Sequence, residues 1–264
     1  MELRQLDSLR PHEETIPAHV DDLTRDCARE GVQRDPILAD TRTSSVLDGM
    51  HRLEAFKRMG LRNVVCCSVD YNSGATTISR WVRVYSGPSW EELARLAKDS
   101  GLTRELTPRS ALKELSVKGA GIAVMNRDVA MMPESRMGLN GSFGIVRRFD
   151  REAETRGMRR TFVSEDELQG ELRDRQKVVL LVEKLDKADV VEAANTGNLL
   201  PCKISMHAVD PRPVAVNIPL EEVRSGRSAR LDAMARQPGG RILPPNSVYE
   251  GRRYKERLLL LKSR

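Results

Sequence analysis

The stretch Val46-Leu47-Asp48-Gly49-Met50-His51-Arg52-Leu53-Glu54-Ala55-Phe56 limits what this chain can fold into more than any other. Ser45-Val46-Leu47 is short, apolar and β-branched, the pattern of a strand entering a core. Asp48-Gly49 is a turn signal, because Asp bonds its own downstream backbone and Gly tolerates positive φ. From Met50 to Met59 the residues Leu53, Phe56 and Met59 recur at helical spacing, and Gly60 stands at the stop. The start of a helix carries unpaired N–H groups and partial positive charge, which makes it an anion site. Here a carboxylate (Asp48), an imidazole (His51) and a guanidinium (Arg52) crowd that start, a set suited to phosphate chemistry. The plain alternatives stay open at this point: Asp48 as an ordinary helix cap and Arg52 as a solvated helix residue.

With 264 residues the chain holds one large domain or two small ones. No apolar run approaches the roughly 20 residues of a membrane span, and Met1-Glu2-Leu3-Arg4 lacks the core of a signal peptide. The cysteines Cys27, Cys66, Cys67 and Cys202 show no CxxC spacing. Reduced thiols and a cytoplasmic location are the expectation. The net charge of +6 is unevenly spread: the last 41 residues, from Arg224, hold 11 basic and 3 acidic side chains. Such a segment can bind nucleic acid or anchor an anionic substrate, or present a solvated face. Its lack of interleaved aromatics weakens a single-strand stacking model.

Coarse patterning gives an α/β (α+β) chain. A helix is expected over Val20–Glu30, stopped by Gly31. Strands are expected over Asp35–Ala39 and Val64–Val69. The middle is less informative. Helices are expected to start at Ser89 and Thr107-Pro108, and residues 119–142, rich in Gly and Met, read as a loop or lid. A helix over Phe143–Arg156, strands at Thr161–Val163 and Lys177–Val182, and a helix from Asp186 through Ala194 follow. Ser164-Glu165-Asp166-Glu167 has the capping-box pattern. A second chemical block is Gly197-Asn198-Leu199-Leu200-Pro201-Cys202-Lys203-Ile204-Ser205-Met206-His207. If that segment is extended, Lys203, Ser205 and His207 share one face, either as a strip of phosphate-reaching donors or as an ordinary exposed strand face.

A strand, Asp-Gly-x-His-Arg and a helix, preceded by a Pro-Ile strand, resemble the ParB/sulfiredoxin superfamily. More closely, Leu9-x-Pro11-His12-Glu13, Gly31-Val32-Gln33-x-x-Pro36-Ile37 and Leu47–Arg52 resemble the free L-serine kinases, the archaeal ADP-dependent and staphylococcal ATP-using types. The 197–207 block, Arg212-Pro213-Val214-Ala215-Val216-Asn217-Ile218-Pro219-Leu220 and Tyr249-Glu250-Gly251-Arg252-Arg253-Tyr254 are similar to the same family. The resemblance implies a ParB/sulfiredoxin-like nucleotide-binding domain over residues 1–100, a C-terminal kinase-family α/β domain over 101–264, and an active site in the cleft between them.

It also implies an enzyme that makes O-phospho-L-serine from free L-serine with Mg²⁺ and ADP or ATP. In that reading Glu13 is the general base and Asp48 holds Mg²⁺. Gly49, Met50, His51 and Arg52 bind nucleotide phosphates, with His51 also counted as catalytic. Lys203, Ser205 and His207 clamp the transferred phosphate. The chain departs from the family pattern at Met50 (usually His), Cys202 (Pro), Ile204 (a hydroxyl residue) and Met206 (Arg), and the last change removes a bidentate phosphate ligand. The alternative class is a ParB-like, nucleotide-responsive DNA-binding or regulatory protein. No helix-turn-helix pattern follows the first domain to support it.

Overall fold

Gly49 makes the turn that the strand–turn–helix pattern demands. Its φ is +105°, and a Cβ there would lie 3.0 Å and 3.1 Å from Arg52 Nη2 and Nε and 3.2 Å from Ile37 Cγ1. The strand Val46–Asp48 enters this turn and the helix Met50–Arg58 leaves it. Gly49 itself is the N-cap, and no side chain caps the helix. The ordinary-cap reading of Asp48 is therefore displaced: its carboxylate bonds elsewhere.

The computed structural model describes residues 1–236 and 239–261. They form two compact units. The first contains Met1–Ile78, Lys187–Cys202 and His207–Arg264, and the second Ser79–Asp186 and Lys203–Met206. Of the basic C-terminal segment, Lys262 and Arg264 lie outside the described residues.

In the first unit a four-stranded sheet runs in the order Glu2–Gln5, Asn63–Val69, Ile37–Asp40, Val46–Asp48. Ile37–Asp40 pairs parallel to Asn63–Val69, with Ile37 opposite Cys66, and antiparallel to Val46–Asp48. All four residues of that inner strand are buried. Helices Pro17–Glu30 and Met50–Arg58 pack together. Gly31 ends the first in the left-handed region at φ +67°, its N–H donating to Cys27 O. Leu53 and Phe56 are buried with Ile37, Val46 and Val65, and each large apolar side chain so buried contributes about 1.5–3 kcal/mol. The opening residues, without clear period in the sequence, form the edge strand Glu2–Gln5 and a 3₁₀ turn that buries Leu6.

Late segments complete this unit. Ile218–Pro219 pairs with Val32–Gln33. Gln33 is fully buried, and its amide accepts from Val65 N–H and donates to Val65 O, both at 2.8 Å. Asn-like satisfaction of backbone by a buried side chain of this kind is what burial of an amide requires. In the basic segment, Arg257 is held by Asp210 and Arg230 donates to Asn217 O.

The second unit carries a sheet ordered Arg159–Ser164, Thr76–Ser86, Lys177–Val182, Ile122–Met125, Ala130–Met132, Arg104–Leu106. The strand Thr76–Ser86 carries the chain out of the first unit into the second. The helices Trp90–Asp99 and Pro108–Glu114 begin at Ser89 and Thr107, as their caps indicated, and Ser89 forms a full capping box with Glu92. Residues 119–142 are not a loop or lid. They contain the fully buried strands Ile122–Met125 and Ala130–Met132 and the start of the helix Gly138–Thr155. Strands buried on both faces show no alternation, so their Met and Ala content hid them.

Candidate functional site

Within the first unit, Asp48 ends its strand one residue before the Gly49 turn, and Arg52 follows one helical turn later. Arg52 Nη2 donates to Asp48 Oδ2 at 2.9 Å, while Nη1 lies 3.6 Å from Asp35 Oδ2. Arg52 Nε is buried without a hydrogen-bond partner. The carboxylate takes a second guanidinium from far along the chain: Arg212 Nη1 donates to Asp48 Oδ2 at 3.0 Å. Arg212 is 3% exposed. Its Nη2 donates to His207 O at 2.6 Å and its Nε to Glu256. Burial works against the Arg212 charge, but Asp48 and Glu256 outweigh it and raise its pKa. Arg212 and Arg252 both lie over the ring of Tyr254, at 5.8 and 4.7 Å. The result is a chain of alternating charge, Asp35–Arg52–Asp48–Arg212–Glu256, at a helix start.

His51 sits on the first turn of the same helix. The Ile16 N–H donates to His51 Nε2 at 3.0 Å, so this nitrogen is an acceptor and a neutral ring carries its proton on Nδ1. Cys202 Sγ approaches the same Nε2 at 3.9 Å. Met50 differs from its neighbours: its side chain is buried in the apolar core. Any contact of Met50 with a phosphate is thus left to its backbone.

His12 and Glu13 are pinned by backbone. Leu200 N donates to His12 O and Glu14 N to Leu200 O, both at 2.8 Å, around a parallel bridge between Glu13 and Leu200. His12 is fully buried, with Nδ1 2.6 Å from Val46 O and Nε2 3.5 Å from Glu13 Oε1. Its ring meets that of His207 edge to face, with centroids 5.4 Å apart. His207 is 5% exposed, and its Nε2 is 2.7 Å from the Tyr71 hydroxyl. Burial, then the neighbouring His12, push the His207 pKa down to about 3. His207 is therefore a neutral, enclosed imidazole near pH 7.

The expected strip of Lys203, Ser205 and His207 forms only in part. The strand begins at Ser205, whose side chain is buried like that of His207, in the alternation expected of a strand. Lys203 lies outside it, with φ +56°. Lys203 and Ser205 fall in the second unit. There Lys203 Nζ stands over the Trp81 ring at 5.2 Å and its carbonyl accepts from the buried Arg83. Arg212, Tyr71, Glu256 and Asp35 were not singled out as site residues by sequence reasoning. Arg212 offered a signal, since it opens the Arg-Pro segment similar to the kinases. Tyr71, Glu256 and Asp35 offered none, because each acts through a partner distant in the chain.

Among the described residues no group of three or more His, Cys, Asp and Glu side chains is placed to hold a metal. Asp48 offers a hard carboxylate shared with two guanidiniums. It therefore fits only the mode in which Mg²⁺ takes one or two carboxylates and completes its shell with phosphate oxygens and water.

No protein-family model matches the chain. It is 24% identical to an ATP-dependent L-serine kinase of Staphylothermus marinus over 242 residues, covering 84% of this chain and 90% of that protein. A kinase of the same description from Desulfurococcus mucosus is 25% identical with the same coverage. A ParB-like protein of Sulfolobus acidocaldarius is 32% identical over 81 residues, 31% of this chain and 40% of that protein. The chain thus spans less than half of the ParB-like relative and most of the kinases. Among solved structures, a free serine kinase in complex with AMP superposes with a TM-score of 0.71 at 18% identity, over 84% of this chain and 92% of that one. SbnI with a C-terminal truncation, from Staphylococcus aureus, superposes with a TM-score of 0.68 at 16% identity, over 90% and 97%. The chain is similar to the L-serine kinases along most of its length and has the fold of the free serine kinase.

Proposed function

We propose that this protein is a small-molecule kinase that phosphorylates free L-serine from a nucleotide, ADP or ATP, with Mg²⁺. The observation that carries the reading is the paired-guanidinium grip on Asp48 at the helix start after Gly49, in a chain similar to two L-serine kinases over 84% of its length. A carboxylate fixed by two arginines at an anion-binding helix start suits a nucleotide's phosphate chain.

Phosphoryl transfer needs positioning and charge neutralisation. Glu13 accepts the proton of the serine hydroxyl while the serine oxygen bonds to the terminal phosphorus, and the bond from that phosphorus to its bridging oxygen breaks, releasing the shortened nucleotide. Asp48 is the carboxylate that holds Mg²⁺, and the ion, when bound, neutralises charge on the phosphates. The backbone after Gly49, including Met50 N–H, His51 through Nδ1–H, and Arg52 bind nucleotide phosphate. Lys203 and Ser205 serve the transferred phosphate, and His207 contributes as a neutral group held by Tyr71. The division into a ParB/sulfiredoxin-like module over residues 1–100 and a kinase-family module over 101–264 belongs to the same proposal; the 81-residue likeness to a ParB-like protein supports a module of that order.

The test is an end-point assay by mass. Purified protein with Mg²⁺, free L-serine and either ADP or ATP yields O-phosphoserine from one donor, and Glu13→Gln yields none. Absence of product from both donors overturns the reading.

A further inference from the structure

Beside the residue read above as the base lies a histidine whose orientation is fixed by main chain. Val46 O can only accept, so the hydrogen at 2.6 Å belongs to His12 Nδ1. With Nδ1 committed to Val46 O, Nε2 is the ring nitrogen that faces Glu13 Oε1, 3.5 Å away. The ring cannot turn away. Val46 O holds one side, the His207 ring packs edge-on at 5.4 Å, and the backbone of residues 12–14 is clamped by Leu200.

We infer that His12 is the proton acceptor behind Glu13, taking on Nε2 the proton that Glu13 removes from the acceptor substrate. The proposal rests on the reading of Glu13 as base. The proton leaves the serine hydroxyl for one Glu13 oxygen, passes from Oε1 to His12 Nε2, and returns to solvent after product leaves. Glu13 ends ionised and His12 becomes an imidazolium, so charge and protons balance. A contact of 3.5 Å in the free protein is within the range that closes to a hydrogen bond once substrate is bound. Glu13 from its own segment and His207 from the strand Ser205–Val209 both face His12. Behind His207 stand Tyr71, Asp48 and Arg212. His207 stays neutral across the working range, because burial holds its pKa at about 3, and it does not compete for the proton.

The experiment compares wild type, Glu13→Gln, His12→Asn and His12→Ala in steady-state formation of O-phosphoserine from L-serine and the active nucleotide, across pH. His12→Asn keeps a donor for Val46 O and removes the proton acceptor. The expected result is a fall in kcat of about 10- to 100-fold with KM for serine within about twofold, and an acid limb of kcat that moves to lower pH than in wild type. A purely structural role leaves that limb in place. Unchanged kcat in His12→Asn overturns the relay, and so does a loss in both His12 variants with an unmoved acid limb. If Glu13→Gln retains full activity, the base assignment itself fails, whatever the His12 variants do.

Discussion

Arg212 donates to Asp48 across 164 positions of sequence, at 3.0 Å, and so ties the strand–turn–helix at the front of the chain to a segment near its end. The same guanidinium holds Glu256 and the carbonyl of His207. Removing it leaves a carboxylate, Glu256, buried without its charge partner. Breaking a buried pair from one side costs about 3–5 kcal/mol. Arg212→Ala is therefore expected to lower the unfolding free energy measured in urea by an amount in that range, whereas Arg257→Ala, which removes a solvent-exposed pair with Asp210, leaves the midpoint nearly unchanged. Equal midpoints for the two variants in urea unfolding count against the role of Arg212 as a tie.

Gly49→Ala tests the turn. The position combines φ of +105° with contacts of about 3 Å from any Cβ to the Arg52 guanidinium. Backbone strain of this kind costs on the order of 1–3 kcal/mol, and the only flexible neighbour is Arg52. The variant is expected to lose that stability and to weaken nucleotide binding several-fold, because Arg52 must give way. Calorimetric titration with ADP and ATP, beside a thermal melt, reads both. A variant that melts like wild type and binds as tightly contradicts the crowding.

Much of this was legible in the sequence. The Asp48-Gly49 turn, the Met50 helix and its Gly60 stop carry strong local signals, and the structure follows them to within a residue or two. Ser89, Thr107 and Gly31 mark helix ends for equally local reasons. What stayed hidden depends on partners far away. In the sequence Asp48 stands open between a cap and a metal-holding carboxylate, and only Arg212 beside it shows where its oxygen bonds. Tyr71 gives no hint of its bond to His207. The buried strand Ile122–Met125, preceded by Gly119 and Gly121, lacks the alternation that would separate it from a loop. The strand Thr76–Ser86 carries no clear sequence signal, because its buried arginines, Arg80 and Arg83, look like surface charge until Glu165 and Asp150 reach them.

His51 makes a narrower prediction. Its Nε2 takes the Ile16 N–H at 3.0 Å, so His51→Ala strands a backbone donor as well as removing a phosphate contact. Ile16 is half-buried, so the stranded donor costs at most the roughly 1–3 kcal/mol of a fully buried one. His51→Gln, which offers an oxygen in place of Nε2, is expected to recover most of the stability lost in His51→Ala while leaving nucleotide affinity low. Hydrogen exchange at the Ile16 amide is the direct probe. Exchange equally slow in wild type and His51→Ala rules the bond unimportant.

The enclosed imidazole of His207 gives the protein a specific weakness in acid. Its pKa is about 3 in the folded chain and near the ordinary 6.5 in the unfolded one. Between those values the unfolded state binds a proton that the folded state refuses, so stability falls as pH drops from about 6.5 toward 3, with a slope of up to about 1.4 kcal/mol per pH unit. Below the lower value both states are protonated and the contribution is flat. Above 6.5 neither is, and His207 contributes no pH dependence. His207→Gln removes this titration while keeping a side chain that can bond Tyr71. The variant is expected to be less stable than wild type at pH 7.5, where the fitted ring and its bond to Tyr71 are lost. The gap then narrows steadily as pH is lowered to about 4, and the two unfolding curves converge or cross. Urea unfolding at five pH values between 4 and 7.5 measures this directly, and a constant gap across that window places the proton elsewhere than on His207.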